Sequence, residues 1–485
     1  MLLVKLQLTR IRIPISPVAQ HHSIIITLLI LSWQVYGDLI PLINLFEFNL
    51  ISSESAKIEV PMLDRELIRK QPDLVRHGLQ RKRMDSSIVD AFLAADSEFR
   101  RVTTETGNAQ AEMNQVSKSI GMLMGQGKKE EAEAAKAKAS ELKGRVSELE
   151  VQQRDLEEKL HAIELELPNI PHESAPDGDD ETQNPVIREW GTKPVFDFEP
   201  KPHWEIGEQH GMFDAVRGAK ITGSGWMVYR GIGARIQRAL FNYMVNFQTE
   251  NNGYEEIYPP FVVNRESLIG TGNLPKFEDD LYKTLDDLFL IPTAEVPVTN
   301  LYRDEILEVS QLPIKHAAFS GCFRREAGAA GKDTRGIQRI HQFDKVEMVK
   351  FVEPSTSYDE LEKLVLDAEA ILQSLGLHYR VIELCTGDMG AKATKIYDIE
   401  VWAAGVQKYL EVSSCGNFGD YQSRRANIRY RPEVGARPEF VHILNGSGVA
   451  VPRLFAAILE SFQQADGSVV IPEALRSYVG KDVIR

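Results

Sequence analysis

Apolar positions in the first half of the chain fall into two runs whose steps alternate between four and three. The first is Ile88, Phe92, Ala95, Phe99, Val102, Thr106, Ala109, Met113, Val116, Ile120 and Leu123, with a polar lapse at Thr106. The second is Leu142, Val146, Leu149, Gln153, Leu156, Leu160, Ile163 and Leu167. A repeat of this kind keeps one stripe of a helix turned toward a partner helix, the seam of a coiled coil. Gly125 and Gly127 in the intervening "GQGKKEE" let the chain turn, and Pro168 and Pro171 stop the second helix. The pattern predicts an antiparallel two-helix hairpin. About 36 residues per helix reach roughly 55 Å, longer than an ordinary domain radius, so the hairpin should project as an arm.

After the second run, "PHESAPDGDDETQNPV" carries proline and acid but no apolar period, and reads as a linker. Beyond it, short β-rich runs mix with helices. "GIGARIQRALFNYMVNFQTENNG" places Ile232, Ile236, Leu240, Tyr243 and Phe247 on one helical face, closed by Gly253. "YEEIYPPFVV" reads as a strand that Pro259 and Pro260 confine to an edge or a bulge. "HQFDKVEMVKFV" and "VQKYLEVSSCGNF" alternate as strands do. No regular crossover helix separates these strands. The expected fold is therefore α+β, a mixed or mainly antiparallel sheet flanked by helices and preceded by the arm. The division expected is residues 1–61, then 62–170 with the arm, a linker at 171–185, and 186–485 as the sheet-bearing domain.

Composition adjusts this picture in three places. The net charge of −14 over 485 residues argues against general polyanion binding, so basic character must be sought locally. Arg65, Arg69, Lys70, Arg76, Arg81, Lys82 and Arg83 outnumber the acids at the base of the arm, and Lys128 and Lys129 stand at its turn. A rod with cations at base and tip suits a phosphate backbone; a dimerisation coil fits the same periodicity. Cys322, Cys385 and Cys415 form no CxxC pair, which predicts reduced thiols in a reducing compartment and no zinc. Residues 1–61 are apolar and unlike the rest. A targeting peptide and a membrane anchor are both compatible with them, but the preferred reading is an extension outside the fold, with the true start at Met62.

Two phosphate-loop look-alikes fail. GAAGK at Gly328–Lys332 has Glu326 where the first glycine belongs and Asp333 where Ser or Thr is needed. "GIGARI" has Ile236 at the third glycine position and opens an amphipathic helix without a strong strand before it. The charged stretch "CFRREAGAAGKDTRGIQRIHQFDKVEM" instead reads as a hairpin of Cys322–Arg325 and Gln338–Met348. Arg324 and Glu326 stand at its first turn, and Phe343 and Glu347 return on the partner strand. A guanidinium fork suits phosphate, an aromatic face suits a base, and a carboxylate suits an ammonium group. A salt-bridged, solvated hairpin explains the same charges without any ligand.

"FRRE" followed by "HQFDKVEM" resembles motif 2 of the class II aminoacyl-tRNA synthetases, at the spacing of the seryl-tRNA synthetases of bacterial type. "FLIPTAEVPVTNLYRDE", "YLEVSSCGNFGDYQSRRANIRYR", "HILNGSGVAVPRLFAAILE" and "GYEEIYPPFVV" are similar to that family's serine-binding segment, its metal and ATP strand, motif 3 and motif 1. The resemblance covers residues 62–485. It implies a class II antiparallel sheet and a homodimer in the cytoplasm with no membrane partner. It implies activation of L-serine by ATP and transfer to tRNA(Ser), with tRNA(Sec) a further candidate. Arg324, Glu347 and Arg453 would be catalytic, Arg324 bridging the serine carboxylate and the α-phosphate. Thr293, Ala294, Glu295, Arg324, Glu347, Asn445 and Ser447 would hold serine. Arg324, Arg325, Glu326, Phe343, Glu411, Val412, Ser413, Ser414 and Arg453 would hold ATP, with Phe343 under adenine and Arg453 over it. Glu411 and Ser414 would carry Mg²⁺. A paralogue that loads a carrier protein, or an inactive coiled-coil scaffold, are the alternatives.

Overall fold

The computed structural model describes residues 63–327 and 335–485. Residues 1–61 and the GAAGK stretch, about which the sequence raised questions, lie outside the described residues. Two short helices, α1 (Arg65–Lys70) and α2 (Pro72–Arg81), lead into the long pair α3 (Ser87–Gly125) and α4 (Lys129–Glu166). The heptad reading thus places both helices and their turn. At ~1.5 Å per residue, α3 is roughly 58 Å long. Burial along the seam is concentrated near the root and middle. Val102, Ala109, Val146 and Leu149 form one cluster, and Phe92, Ala95, Leu160 and Leu167 join α1 and α2 in another. Met113, Val116, Ile120 and Leu123, toward the tip, are only half-buried.

The cations at the arm's base are bonded to groups of the protein itself. Arg65 pairs with buried Glu164, Arg69 with buried Asp96, Lys70 with Glu66, and Arg76 with Asp73 and Asp90. Arg83 pairs with Asp177 and Asp179, Arg81 donates to the carbonyls of His172 and Ala175, and Lys82 is buried. Lys70 and Arg76 find acids close by in sequence, but the others are met by partners farther along the chain, which local composition could not show. The stretch read as a linker is tied to its surroundings: His172 N donates to Thr394 O, Thr386 to Asp177, and Asn184 to Asp388.

The main sheet has eight strands, numbered here along the chain: β1 (Val186–Trp190), β2 (Glu255–Ile257), β3 (Ile314–Phe323), β4 (Gln342–Val352), β5 (Tyr379–Glu383), β6 (Lys395–Ala403), β7 (Lys408–Asn417) and β8 (His442–Ala450). Their spatial order is β1-β5-β6-β7-β8-β4-β3-β2. Every pair is antiparallel except β2 with β3, at one edge. The predicted "YEEIYPPFVV" strand is divided: β2 ends before Pro259, and Val262–Asn264 joins a separate two-stranded sheet. Neither proline supplies the N–H that a continuous ladder needs.

Helices α5 (Gly231–Asn251), α6 (Ser357–Ser374) and α8 (Val451–Ser461) cover one face of the sheet; the short α7 is Tyr421–Arg425. Val346 and Met348 of β4 point into that helical core, whereas Val349 and Phe351 join a second cluster on the opposite face. β4 is therefore covered on both sides along Lys345–Val352, and its polar residues are not the solvent-facing half of an alternating strand. They face a cavity.

Candidate active site

The cavity lies on the face of the sheet away from α5, α6 and α8, with a volume of about 450 Å³. Period-two alternation puts Phe343, Lys345 and Glu347 of β4 on its floor. Register does the rest: Ser447 stands opposite Glu347, Gly416 opposite Asn445, and Ile396 opposite Gly416. A Cβ on Gly416 would meet Phe418 at 3.2 Å and Ile396 at 3.5 Å, so glycine keeps the floor open there. A bulge between Ile399 and Glu400 shifts the register of β6 against β7, whose Glu411, Val412 and Ser414 line the cavity.

The hairpin forms one wall. β3 begins earlier than predicted and ends at Phe323, and the return strand begins at Gln342, not Gln338. Arg324 consequently stands just beyond the ladder, exposed toward the cavity. Its guanidinium lies 5.1 Å from the Phe343 ring centre, and Nε makes a long bond of 3.4 Å to Pro292 O. Glu326 occupies the left-handed region with φ of 53° and pairs with Arg339, also on the wall. Arg453, at the start of α8, donates from Nη1 to Glu411 O at 2.7 Å, and its charge lies 3.4 Å from the Glu411 carboxylate. His341 stacks on Trp226, and its Nδ1 lies 2.9 Å from the Tyr282 hydroxyl.

The deeper end is acidic and hydrogen-bonded from its own walls. Thr293 Oγ1 donates to Glu347 Oε2 at 2.9 Å, and Lys345 contacts the same carboxylate. Glu295 Oε1 accepts from Gln422 at 2.6 Å and from Lys392 at 3.3 Å. Gln422, wholly buried on α7, also accepts from Asn445 Nδ2 at 3.4 Å. One amide therefore ties two wall residues together.

At the other end, Glu411 and Ser414 present hard oxygen donors. Beneath them Asp398 Oδ1 is buried without a hydrogen-bond partner among the described residues. Burial first, then the neighbouring Glu411 charge, push the Asp398 carboxyl well above its ordinary range. Among the described residues no group of three or more His, Cys, Asp or Glu side chains is arranged as a metal cage. Glu411 and Ser414 could supply two oxygens of a magnesium shell, with phosphate and water as the other ligands.

The structure brings most of the named positions to this one cavity: Thr293, Glu295, Arg324, Glu326, Phe343, Glu347, Glu411, Val412, Ser414, Asn445, Ser447 and Arg453 all line it. Ala294, Arg325 and Ser413 do not. Ala294 is packed in the second apolar cluster, Arg325 N is bonded to Asp280 O, and Ser413 Oγ donates to Ser447 O at 2.5 Å behind the floor. Lys345, Arg339, Lys392 and Gln422 were not singled out in the sequence. Lys345 was within reach, since strand alternation puts it on the face of Phe343 and Glu347. The others are joined to the site only by tertiary folding.

Residues 62–171 match the family described as seryl-tRNA synthetase N-terminal domain, and residues 276–462 match the tRNA synthetase class II core domain (G, H, P, S and T). The chain is 53% identical over 425 residues to the serine–tRNA ligase of Caldanaerobacter subterraneus subsp. tengcongensis, covering 87% of this chain and 99% of that protein. It is 54% identical over 427 residues to that of Caldicellulosiruptor saccharolyticus, covering 87% and 100%. The fold is similar to the crystal structure of seryl-tRNA synthetase from Pyrococcus horikoshii complexed with ATP, with a TM-score of 0.83, 37% identity, and coverage of 87% of this chain and 99% of that one. A cytoplasmic serine–tRNA ligase from Naegleria fowleri, solved with AMP, matches with a TM-score of 0.78 and 28% identity over 87% of this chain and 98% of that one.

Proposed function

The chain belongs to the seryl-tRNA synthetases of the class II aminoacyl-tRNA synthetase family, and we propose from this premise that its cavity activates L-serine with ATP and passes the seryl group to tRNA(Ser). The observation that carries the reading is the joining, in one cavity, of a buried acidic end with an end lined by Arg324, Phe343 and Arg453. Serine is a small zwitterion with one hydroxyl. Glu347, Glu295, Thr293, Asn445 and Ser447 suit its ammonium and hydroxyl groups, and alanine would leave these polar atoms unpaired. Arg324 has no carboxylate within 4 Å among the described residues, so its fork is available to hold the serine carboxylate against the α-phosphate. Phe343 supplies the adenine face, Glu326 the contact at the adenine end, and Arg453 the opposite cover.

In the first step a serine carboxylate oxygen bonds to the α-phosphorus as the bond to the β-phosphate oxygen breaks, releasing pyrophosphate. In the second, a hydroxyl of the terminal ribose bonds to the seryl carbonyl carbon and AMP leaves. The chain's part is alignment and stabilisation of charge. Mg²⁺ held by Glu411 and Ser414 would supply neutralisation of phosphate charge.

The projecting arm supports recognition of a tRNA by shape, with tRNA(Sec) a further candidate. The exposed edge at β2, beside Tyr258 at 76% exposure, supports a homodimer through this side. The three buried, free thiols support a reducing, cytoplasmic setting. No helix among the described residues is long and apolar enough to cross a membrane. The test is pyrophosphate exchange into ATP by residues 62–485. Exchange dependent on serine is expected. No exchange with serine, or faster exchange with threonine, counts against the proposal.

A further inference from the structure

Among the cations at the arm's base, Lys82 is set apart by its burial. Lys82 follows α2 at the foot of the arm. Its side chain is almost wholly buried, and it has no acidic partner among the described residues. Its Nζ donates to Ala393 O at 2.6 Å and to Ala391 O at 3.4 Å. Asn169 follows α4, at the other foot. Its backbone N donates to Ala391 O at 2.8 Å, and its side-chain amide donates to Lys392 O at 2.9 Å and Phe418 O at 2.8 Å. The carbonyls of three consecutive residues, 391 to 393, are thus all taken by the root of the arm.

Those residues form a wall of the cavity. A backbone held by its carbonyls on one side is fixed in the direction its side chains take on the other. Lys392 points its ammonium at Glu295, and the Glu295 oxygen it reaches is the one Gln422 holds. A buried lysine offered only two carbonyls is an expensive way to join two parts of a fold, since burial alone draws its pKa down to about 7. An apolar side chain would fill the same space at lower cost. What the amine adds is direction: its donors reach two carbonyls of one short segment.

We propose that Lys82 and Asn169 are positioning residues for the amino-acid pocket, holding the 391–393 wall so that Lys392 orients Glu295 toward serine. The inference rests on the serine-activation reading given above. It ties the pocket to the point where the arm leaves and re-enters the body of the protein, with neither residue touching a substrate.

The test uses the full chain and the variants Lys82→Met, Asn169→Ala, Lys392→Met and the double variant Lys82→Met/Lys392→Met. Hydrogen exchange of residues 389–394 is read without substrates, and serine-dependent pyrophosphate exchange is read with varied serine and varied ATP. In Lys82→Met the amides of 389–394 should exchange at least tenfold faster. The KM for serine should rise about tenfold, while the KM for ATP and the rate at saturating serine stay within threefold. Asn169→Ala, which keeps Lys82, should move the same readouts in the same direction and stands in if Lys82→Met is not recovered folded. In the Lys392→Met background the Lys82 substitution should add less than twofold to the serine KM. Equal changes in both KM values, additive effects of Lys82→Met and Lys392→Met, or unaltered exchange at 389–394 would each overturn the proposal. A wild-type chain with no serine-dependent activity would refute the functional reading instead, and the hydrogen-exchange arm would still report whether the wall is held from the root.

Discussion

Arg324→Ala removes a guanidinium that the protein itself barely uses. The side chain is exposed toward the cavity, with one bond of 3.4 Å to Pro292 O and a place above the Phe343 ring at 5.1 Å. Its loss should therefore cost little stability, within about 0.5 kcal/mol, as for other exposed substitutions. The catalytic cost is expected to be far larger. A preorganised donor aimed at developing charge is worth about 2.7–4 kcal/mol, or roughly 10²–10³ in rate. The assay is serine-dependent pyrophosphate exchange at saturating ATP, with a urea melt of the same preparation. Arg324→Lys separates charge from geometry: it keeps a cation but loses the planar fork, so it should recover only part of the rate. A loss under fivefold in Arg324→Ala would remove the residue from the reacting centre. A loss accompanied by a large fall in stability would mean that the hairpin had collapsed and that the rate says nothing about the fork.

Shortening the arm by deleting residues 104–147 and closing it with a glycine turn should spare serine activation and abolish tRNA charging. That cut keeps the root cluster of Phe92, Leu160 and Leu167, and equal damage to both steps would mean the distal arm is structural support. Phe92→Ala, at a fully buried root position, should cost about 3–5 kcal/mol in denaturant unfolding, and a loss below 1 kcal/mol would contradict the packing described. Lys82 has a folded pKa of about 7 against an ordinary value of 10.5, so the folded chain binds fewer protons between these limits. Its contribution to stability should rise from pH 7 toward pH 10 and be lowest below pH 7. Comparison of wild type with Lys82→Met by urea unfolding at pH 7, 8 and 9 reads this directly, and a pH-independent difference would refute it. Burial pushes the Cys415 thiol up to about 12, and Cys322 is raised by the same cause. Native protein treated with iodoacetamide at pH 8 should therefore show neither modified by mass spectrometry, whereas denatured protein should show both.

What could be read in the chain, and what could not, divides along the range of the interactions concerned. The two seams located α3 and α4 because a coiled coil is specified by the residues that form it. Strand alternation and the hairpin likewise brought Phe343 and Glu347 back toward Arg324, a relation between near neighbours. The resemblance to known motifs then joined distant segments, and of its residues most line one cavity. Strand ends were less legible: β3 starts at Ile314 and β4 at Gln342 because the ladder continues for as long as partners exist across it. Local alternation does not contain that information.

The sequence alone determined the arm, the broad class of sheet and the chemical types gathered at motif 2, since periodicity and spacing act over a few turns or strands. Tertiary structure alone decided how the charges were spent. Arg65, Arg69, Arg81 and Lys82 looked like a surface for nucleic acid, yet their partners lie up to several hundred residues away and turn them into internal ties. Gln422 and Lys392 entered the pocket by the same route. A charge is defined by its residue, but whether it meets solvent, a carboxylate or a carbonyl is set by which distant segments the fold brings within hydrogen-bond reach.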